Sequence, residues 1–134
     1  MIYLEKVETI RYWVETSAED YRALGNLFKS GDYHWSLFMG HIVIEKLLKA
    51  LFVQNNPEGS NVPRIHDLMT LSQKARLDVD DEKADLLDLI STFNISARYP
   101  DYKRTFYLKC TREYTAARID EINGVRAWLL SLIK

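Results

Sequence analysis

The sequence predicts an all-α protein, an antiparallel up-and-down helical bundle of four long helices plus one short helix. Three observations predict it. Apolar residues recur at steps of three and four through most of the chain, the repeat of a helical face. Glycine, proline and amide residues cluster at a few points and divide the chain into segments of helical length. No segment alternates apolar and polar residues as a strand would. At 134 residues, with 47% hydrophobic and 28% charged side chains, residues 1–134 are expected to form a single domain. A chain of this size buries roughly two thirds of its unfolded surface.

The first helix is expected from Val7 to Lys29, where Ile10, Val14, Ser17 with Ala18, Tyr21, Leu24 and Phe28 share a face. Ser30 and Gly31 should stop it, because glycine accepts the left-handed conformation that closes a helix, and Asp32 is a natural cap for the next. The second helix, Tyr33 to Gln54, holds too many apolar residues for one stripe and is expected at the centre, paired with the first as a hairpin. Asn55, Asn56 and Pro57 end it, and Glu58 to Pro63 has the composition of a surface loop. His66 to Ala75 reads as the short helix on Leu68, Leu71 and Ala75, with Asp67 at its positive start. A capped helix follows from Asp80 and Asp81, burying Leu86, Leu87, Ile90, Phe93 and Ala97, and Pro100 breaks it. The last helix runs from about Thr111 to the end on Ile122, Val125, Leu129 and Leu132, with Trp128 beside them. Short connections between amphipathic helices favour the antiparallel bundle.

Several classes are set aside by composition. The single cysteine, Cys110, allows neither an intrachain disulfide nor a thiolate metal cluster, which fits a reducing compartment. The first residues mix Glu, Lys and Arg among apolar ones and lack the apolar run of a signal peptide, and no later window is apolar enough for a membrane span. The expectation is a cytoplasmic protein without membrane contact. A net charge of -1 and a pI near 6.3 mean that any nucleic acid contact must come from a local patch. His34, His41 and His66 lack zinc-site spacing, the five glycines form no phosphate loop, and the acids at 78–82 lack the pattern of a calcium hand. No metal and no cofactor are expected.

Two groups of residues carry the candidate chemistry. On the second helix, His41, Glu45 and Lys49 fall on one ribbon, with Lys46 beside them. They read either as a polar edge held by a ladder of weak pairs or as a groove with a titratable histidine. From Arg98 to Arg112 five cations face the single acid Asp101, with Tyr99, Tyr102, Phe106 and Tyr107 interleaved. Cations such as Arg98 and Lys103 neutralise phosphates and aromatic faces stack on bases, so this is a candidate surface for nucleotide or single-stranded RNA. The alternative is a solvated connector whose tyrosines pack back on the bundle.

Three pieces of sequence resemble one family. Gly31-Asp32-Tyr33 followed by His41-x-x-x-Glu45-Lys46-x-x-Lys49-Ala50 is similar to the second-helix pattern of HEPN domains (higher eukaryotes and prokaryotes nucleotide-binding domain). Pro63-x-x-His66-Asp67-Leu68-x-x-Leu71 and Ala97-Arg98-Tyr99-Pro100-Asp101 resemble two further blocks of that family, in its order. The resemblance implies a small helical bundle that dimerises, and many such proteins are metal-independent RNases or the toxins of toxin–antitoxin pairs. Nuclease members carry an arginine followed after four to six residues by a histidine. Here Lys103, Arg104 and Thr105 stand at those places after Arg98, and no arginine in the chain has a histidine so spaced. The branch resembled is often paired with a minimal nucleotidyltransferase, so the resemblance implies a homodimeric, non-catalytic module that binds nucleotide or that partner. It places Arg98, Tyr99, His66 and Lys46 around a shared groove, with Arg98 gripping phosphate bidentately. The alternatives are a metal-independent endoribonuclease with a non-standard site using His41 or His66 with Arg98, and a structural homo-oligomeric scaffold built on Tyr12, Trp13 and Trp128.

Overall fold

The computed structural model describes residues 3–57 and 61–134 and is helical throughout its ordered elements, with no strand among the described residues. The order is α1 Tyr3–Lys29, α2 Tyr33–Asn55, α3 Leu68–Lys74, α4 Asp81–Arg98, α5 Pro100–Lys109 and α6 Arg112–Leu132. The expected loop from Glu58 to Pro63 lies partly outside the described residues. None of the helices is long and apolar enough to cross a membrane.

Local chemistry sets most boundaries. Gly31 closes α1 at φ +83°, in the region where a side chain is strained. Asp32 stands at the start of α2, yet its carboxylate takes the Ser30 hydroxyl at 2.7 Å and leaves the helix amides uncapped. Asp67, Asp80 and Thr111 do cap α3, α4 and α6, accepting from the amides of Thr70, Lys83 and Tyr114. Asp67 therefore precedes α3, and His66 lies in the segment before it.

The connector expected between Arg98 and Arg112 is instead a helix. Pro100 does stop α4, but it also occupies the first position of α5, where its fixed φ suits a helix and its missing N–H removes a donor that has no partner there. Tyr99 ends one helix and caps the next. Phe106 is the side of α5 that faces inward, stacked on Phe93 with ring centroids 5.7 Å apart.

α2 is the axis of the molecule. It packs along α1 and also meets α6, α4, α3 and α5, which is why it is apolar nearly all round: Leu37, Val43, Ile44, Leu47, Leu48 and Leu51 are all buried. The three-residue turn makes α1 and α2 an antiparallel hairpin, clamped by Ser17 Oγ donating to the Val43 carbonyl and Ser36 Oγ to the Leu24 carbonyl, both at 2.9 Å. At Gly40 the backbone of α2 comes so close to α6 that an added Cβ would sit 2.5 Å from Ile122 Cδ1. α6 is held from the other side by the Tyr21 hydroxyl, which donates to Asn123 Oδ1 at 2.8 Å.

Candidate functional site

Positions 34, 38, 41 and 45 follow each other at steps of four, three and four, so one ribbon of α2 carries His34, Phe38, His41 and Glu45 toward α3, α4 and α5. Two polar clusters grow from its two ends.

At the C-terminal end the Glu45 carboxylate is nearly buried. Its Oε1 accepts from His66 Nδ1 at 2.8 Å and its Oε2 from Lys49 Nζ at 3.1 Å. Lys49 also lies over the face of Trp13, 5.2 Å from the ring centre. His41 is fully buried and donates Nε2–H to the His66 carbonyl at 2.9 Å; its distance of 3.8 Å to Glu45 is too long for a hydrogen bond. Burial pushes the His41 pKa below its ordinary value, opposed by that carbonyl and by the Glu45 charge. His41 is therefore held neutral and away from solvent. His66 differs, with more than half of its side chain exposed.

The N-terminal end of the ribbon opens on a basic groove of about 550 Å³ lined by His34, Arg98, Pro100, Lys103, Arg104 and Tyr107. No acid lines it, and among the described residues none of its three cations is in an ion pair. Each cation rests on an aromatic face: Arg98 over Phe38 and Tyr99, Lys103 over Trp35, Arg104 over Tyr107, at 5.0 to 5.7 Å from the ring centres. Arg98 is further fixed by Nε donating to the Asn94 carbonyl at 3.2 Å. Tyr99 and Tyr102 are 52% and 56% exposed; Tyr99 lies against Arg98, and neither lines the groove. Tyr99 and Tyr102 therefore face solvent, whereas Tyr107, half-exposed, packs its ring edge-on against His34 of α2.

The sequence candidates thus divide. Arg98 and Lys103 share the groove, Tyr99 lies against Arg98, and Asp101 and Tyr102 are exposed on α5 outside the groove lining. His41, Glu45, Lys49 and His66 form the other cluster. Arg98 sits over Phe38, between the two, and its charge contributes to the lowering of the His41 pKa. Lys46 joins neither cluster: it turns to α1 and pairs with Asp20 at 2.6 Å. Asp67 is occupied in capping α3, taking both the amide and the hydroxyl of Thr70. Sequence reasoning passed over His34 as a site residue, and Arg104 and Tyr107 stood only as members of the basic stretch. The signal for His34 was its place on the ribbon of His41 and Glu45; the signal for the other two was their spacing with Lys103, which shares a face only once α5 is a helix.

No group of three His, Cys, Asp or Glu side chains among the described residues is placed to hold a metal ion. What the groove offers is phosphate neutralisation by preset cations beside stacking surfaces, and what the Glu45 cluster offers is a carboxylate that orients an exposed imidazole.

Comparisons with known proteins agree with this architecture. No curated protein matches the chain. Among solved structures, the crystal structure of TT1696 from Thermus thermophilus superposes with a TM-score of 0.75 at 22% identity, over 91% of this chain and 96% of that one. The resemblance in helix arrangement is thus close where the sequences have diverged. The family model for the HEPN domain matches residues 10–132, from the third turn of α1 to the last residue of α6, and the chain belongs to the HEPN domain family.

Proposed function

We propose that this HEPN chain is a non-catalytic binding module for a nucleotide or single-stranded RNA, held by its phosphates in the groove between α2 and α5. One observation carries the reading: Arg98, Lys103 and Arg104 converge on an acid-free groove in a chain whose net charge is -1. Cations in ordinary surface positions are interleaved with acids; these three line one groove, each over an aromatic ring. Tyr99, which lies against Arg98, supplies an exposed face on which a base can stack, worth about 1–3 kcal/mol per base in single-strand binding. The resemblance to the family's nucleotidyltransferase-paired branch extends the proposal to a homodimer that serves a minimal nucleotidyltransferase in a reducing, cytoplasmic setting.

The test is fluorescence anisotropy of a labelled single-stranded RNA oligomer over a series of salt concentrations. Binding should weaken with salt by a slope of about 0.7 per phosphate neutralised. An Arg98→Ala, Arg104→Ala double variant should bind more weakly and with a shallower slope. Equal affinity and slope in the double variant would refute the groove as the site.

A metal-independent RNase is the second reading, and the Glu45–His66 pair favours it. A buried carboxylate that accepts Nδ1–H leaves Nε2 of an exposed imidazole free, the arrangement of a held general base. The binding reading predicts that end-labelled RNA stays intact in EDTA. Cleavage lost on His66→Ala or Arg98→Ala would establish the enzyme instead.

A further inference from the structure

His34 is the residue whose placement the binding reading leaves unexplained. It lies in the first turn of α2 and is only 7% exposed, yet its Nδ1 is buried without a hydrogen-bond partner. Buried polar nitrogens are nearly always paired, so one without a partner among the described residues, on a ring that lines a cavity, points to a partner from outside the fold. His41 Nδ1 also lacks a partner, but that ring is wholly buried and lines neither cavity beside His34. The His34 ring packs edge-on against Tyr107 at 5.2 Å and beside Trp35 at 4.9 Å. It walls the basic groove on one side and, on the other, a smaller cavity of about 260 Å³ that reaches Cys110 and Thr111.

The charged and titratable groups around it come from each neighbouring element. α5 brings Lys103, Arg104 and Tyr107, the end of α4 brings Arg98, the link to α6 brings Cys110, and the turn before α2 brings Asp32. Burial lowers the pKa of His34, the Lys103 charge lowers it further, and Asp32 opposes both. Without ligand, therefore, the imidazole is neutral at pH 7. A phosphate anion seated on the three cations offers the ring an acceptor and cancels the field of Lys103. Both effects favour the charged ring.

We propose that His34 is a fourth anion ligand of the groove and that it takes up a proton when a phosphate-bearing ligand binds. The inference rests on the groove reading above. Linkage is reciprocal: if binding draws a proton onto His34, acid strengthens binding, by up to about tenfold per pH unit while one proton is exchanged. Affinity should rise as the pH falls from above neutrality toward 5.5, and level off once the free protein is itself protonated.

The probe is a uridine oligonucleotide without terminal phosphates, since its phosphodiesters do not titrate in this range. Calorimetry at pH 7 in two buffers of different ionisation heat reads proton uptake directly, and titrations from pH 7.5 to 5.5 read the affinity. Wild type should take up a fraction of a proton and bind at least about threefold more tightly at the acid end. His34→Asn, which keeps a polar group without a titration, should bind more weakly than wild type at pH 5.5 and lose both the uptake and the pH slope. His66→Ala should keep both, which separates His34 from the exposed histidine. Binding that is independent of pH in wild type, or a slope preserved in His34→Asn, would overturn the role of His34 and leave the groove standing. No binding at any pH would remove the groove and this inference together.

Discussion

Replacing Glu45 by Ala tests whether the C-terminal cluster is a built-in part of the core. The side chain of Glu45 is 7% exposed and that of Lys49 12%, and the two meet at 3.1 Å. Removing the carboxylate strands a mostly buried ammonium with only the Trp13 face nearby. Breaking a buried ion pair from one side costs about 3–5 kcal/mol. His66, the other partner, is 58% exposed and can turn to water, so we expect a loss of roughly 2–4 kcal/mol, allowing for that relief. Against a total stability of about 5–15 kcal/mol this is a large part. Glu45→Gln keeps an acceptor for His66 and should lose less. A Glu45→Leu, Lys49→Met double variant removes both charges and should recover at least about 1 kcal/mol relative to Glu45→Ala, because no charge is left unpaired. Urea unfolding followed by circular dichroism supplies the values by linear extrapolation. A cost below about 1 kcal/mol for Glu45→Ala, or a double variant as unstable as the single one, would show that water already reaches Lys49 and that the cluster is not the closed network described. The groove reading adds a condition: RNA affinity at pH 7.5 should be unchanged in Glu45→Gln.

Two further predictions concern single sites. Gly40→Ala gains about 1 kcal/mol of helix propensity but drives a methyl to within 2.5 Å of Ile122 Cδ1 and 3.3 Å of Leu24 Cδ1, so a net loss of about 1–2 kcal/mol is expected. Ile122→Val removes the offending carbon, so the Gly40→Ala, Ile122→Val pair should be more stable than the sum of the singles predicts; simple additivity in chemical unfolding would refute the contact. His41, with its pKa lowered in the fold, gives the sign of the acid response: below its ordinary pKa near 6.5 the unfolded chain binds a proton that the folded chain refuses. Stability is therefore complete above that pH and falls as the pH drops through 6.5 toward 5, with His34 acting in the same direction. Thermal unfolding should show a lower Tm at pH 5 than at pH 7, with a smaller difference in His41→Gln, and a flat profile in wild type would contradict the neutral buried ring.

How far the sequence could be read follows from the range of the interactions involved. Helix periodicity is local, so the faces of α1, α2, α4 and α6 were legible, as was the cap at Asp80; Asp67, read as a carboxylate in the first turn, caps α3 from just before it, and Asp32, read as a cap, bonds Ser30 instead. α5 was missed because the rule for proline has two sides: the ring ends a helix that reaches it and starts one that follows. With Pro100 taken only as a stop, Lys103, Arg104 and Tyr107 were a run of chain and not a face. The ladder from His41 to Lys49 was half legible. Glu45 and Lys49 do bond at their four-residue step, but His41 turns to the carbonyl of His66, 25 positions away, and Lys46 turns to Asp20 on the hairpin partner. Periodicity says which side chains share a ribbon; it does not say what a distant segment will lay across it.

The same limit explains why the two clusters differ in what they can do, although one ribbon of α2 carries both. The segment before α3 covers the Glu45 end, so His41 Nε2 finds a carbonyl and Glu45 finds an imidazole and an ammonium within the chain. The buried nitrogen left over there, His41 Nδ1, is sealed in the core. α5 crosses the His34 end with cations and rings, and its one acid, Asp101, does not line the groove, so among the described residues no ion pair answers the cations and no hydrogen bond answers the buried His34 Nδ1. A cluster bonded to itself is closed to ligand unless it breaks its own bonds, whereas a groove with three unpaired cations and an unpaired imidazole gains by filling them. On that ground we assign the proposed binding to the α2–α5 groove rather than to the Glu45 cluster. The histidine to substitute first is accordingly His34, the one that the sequence motifs did not single out.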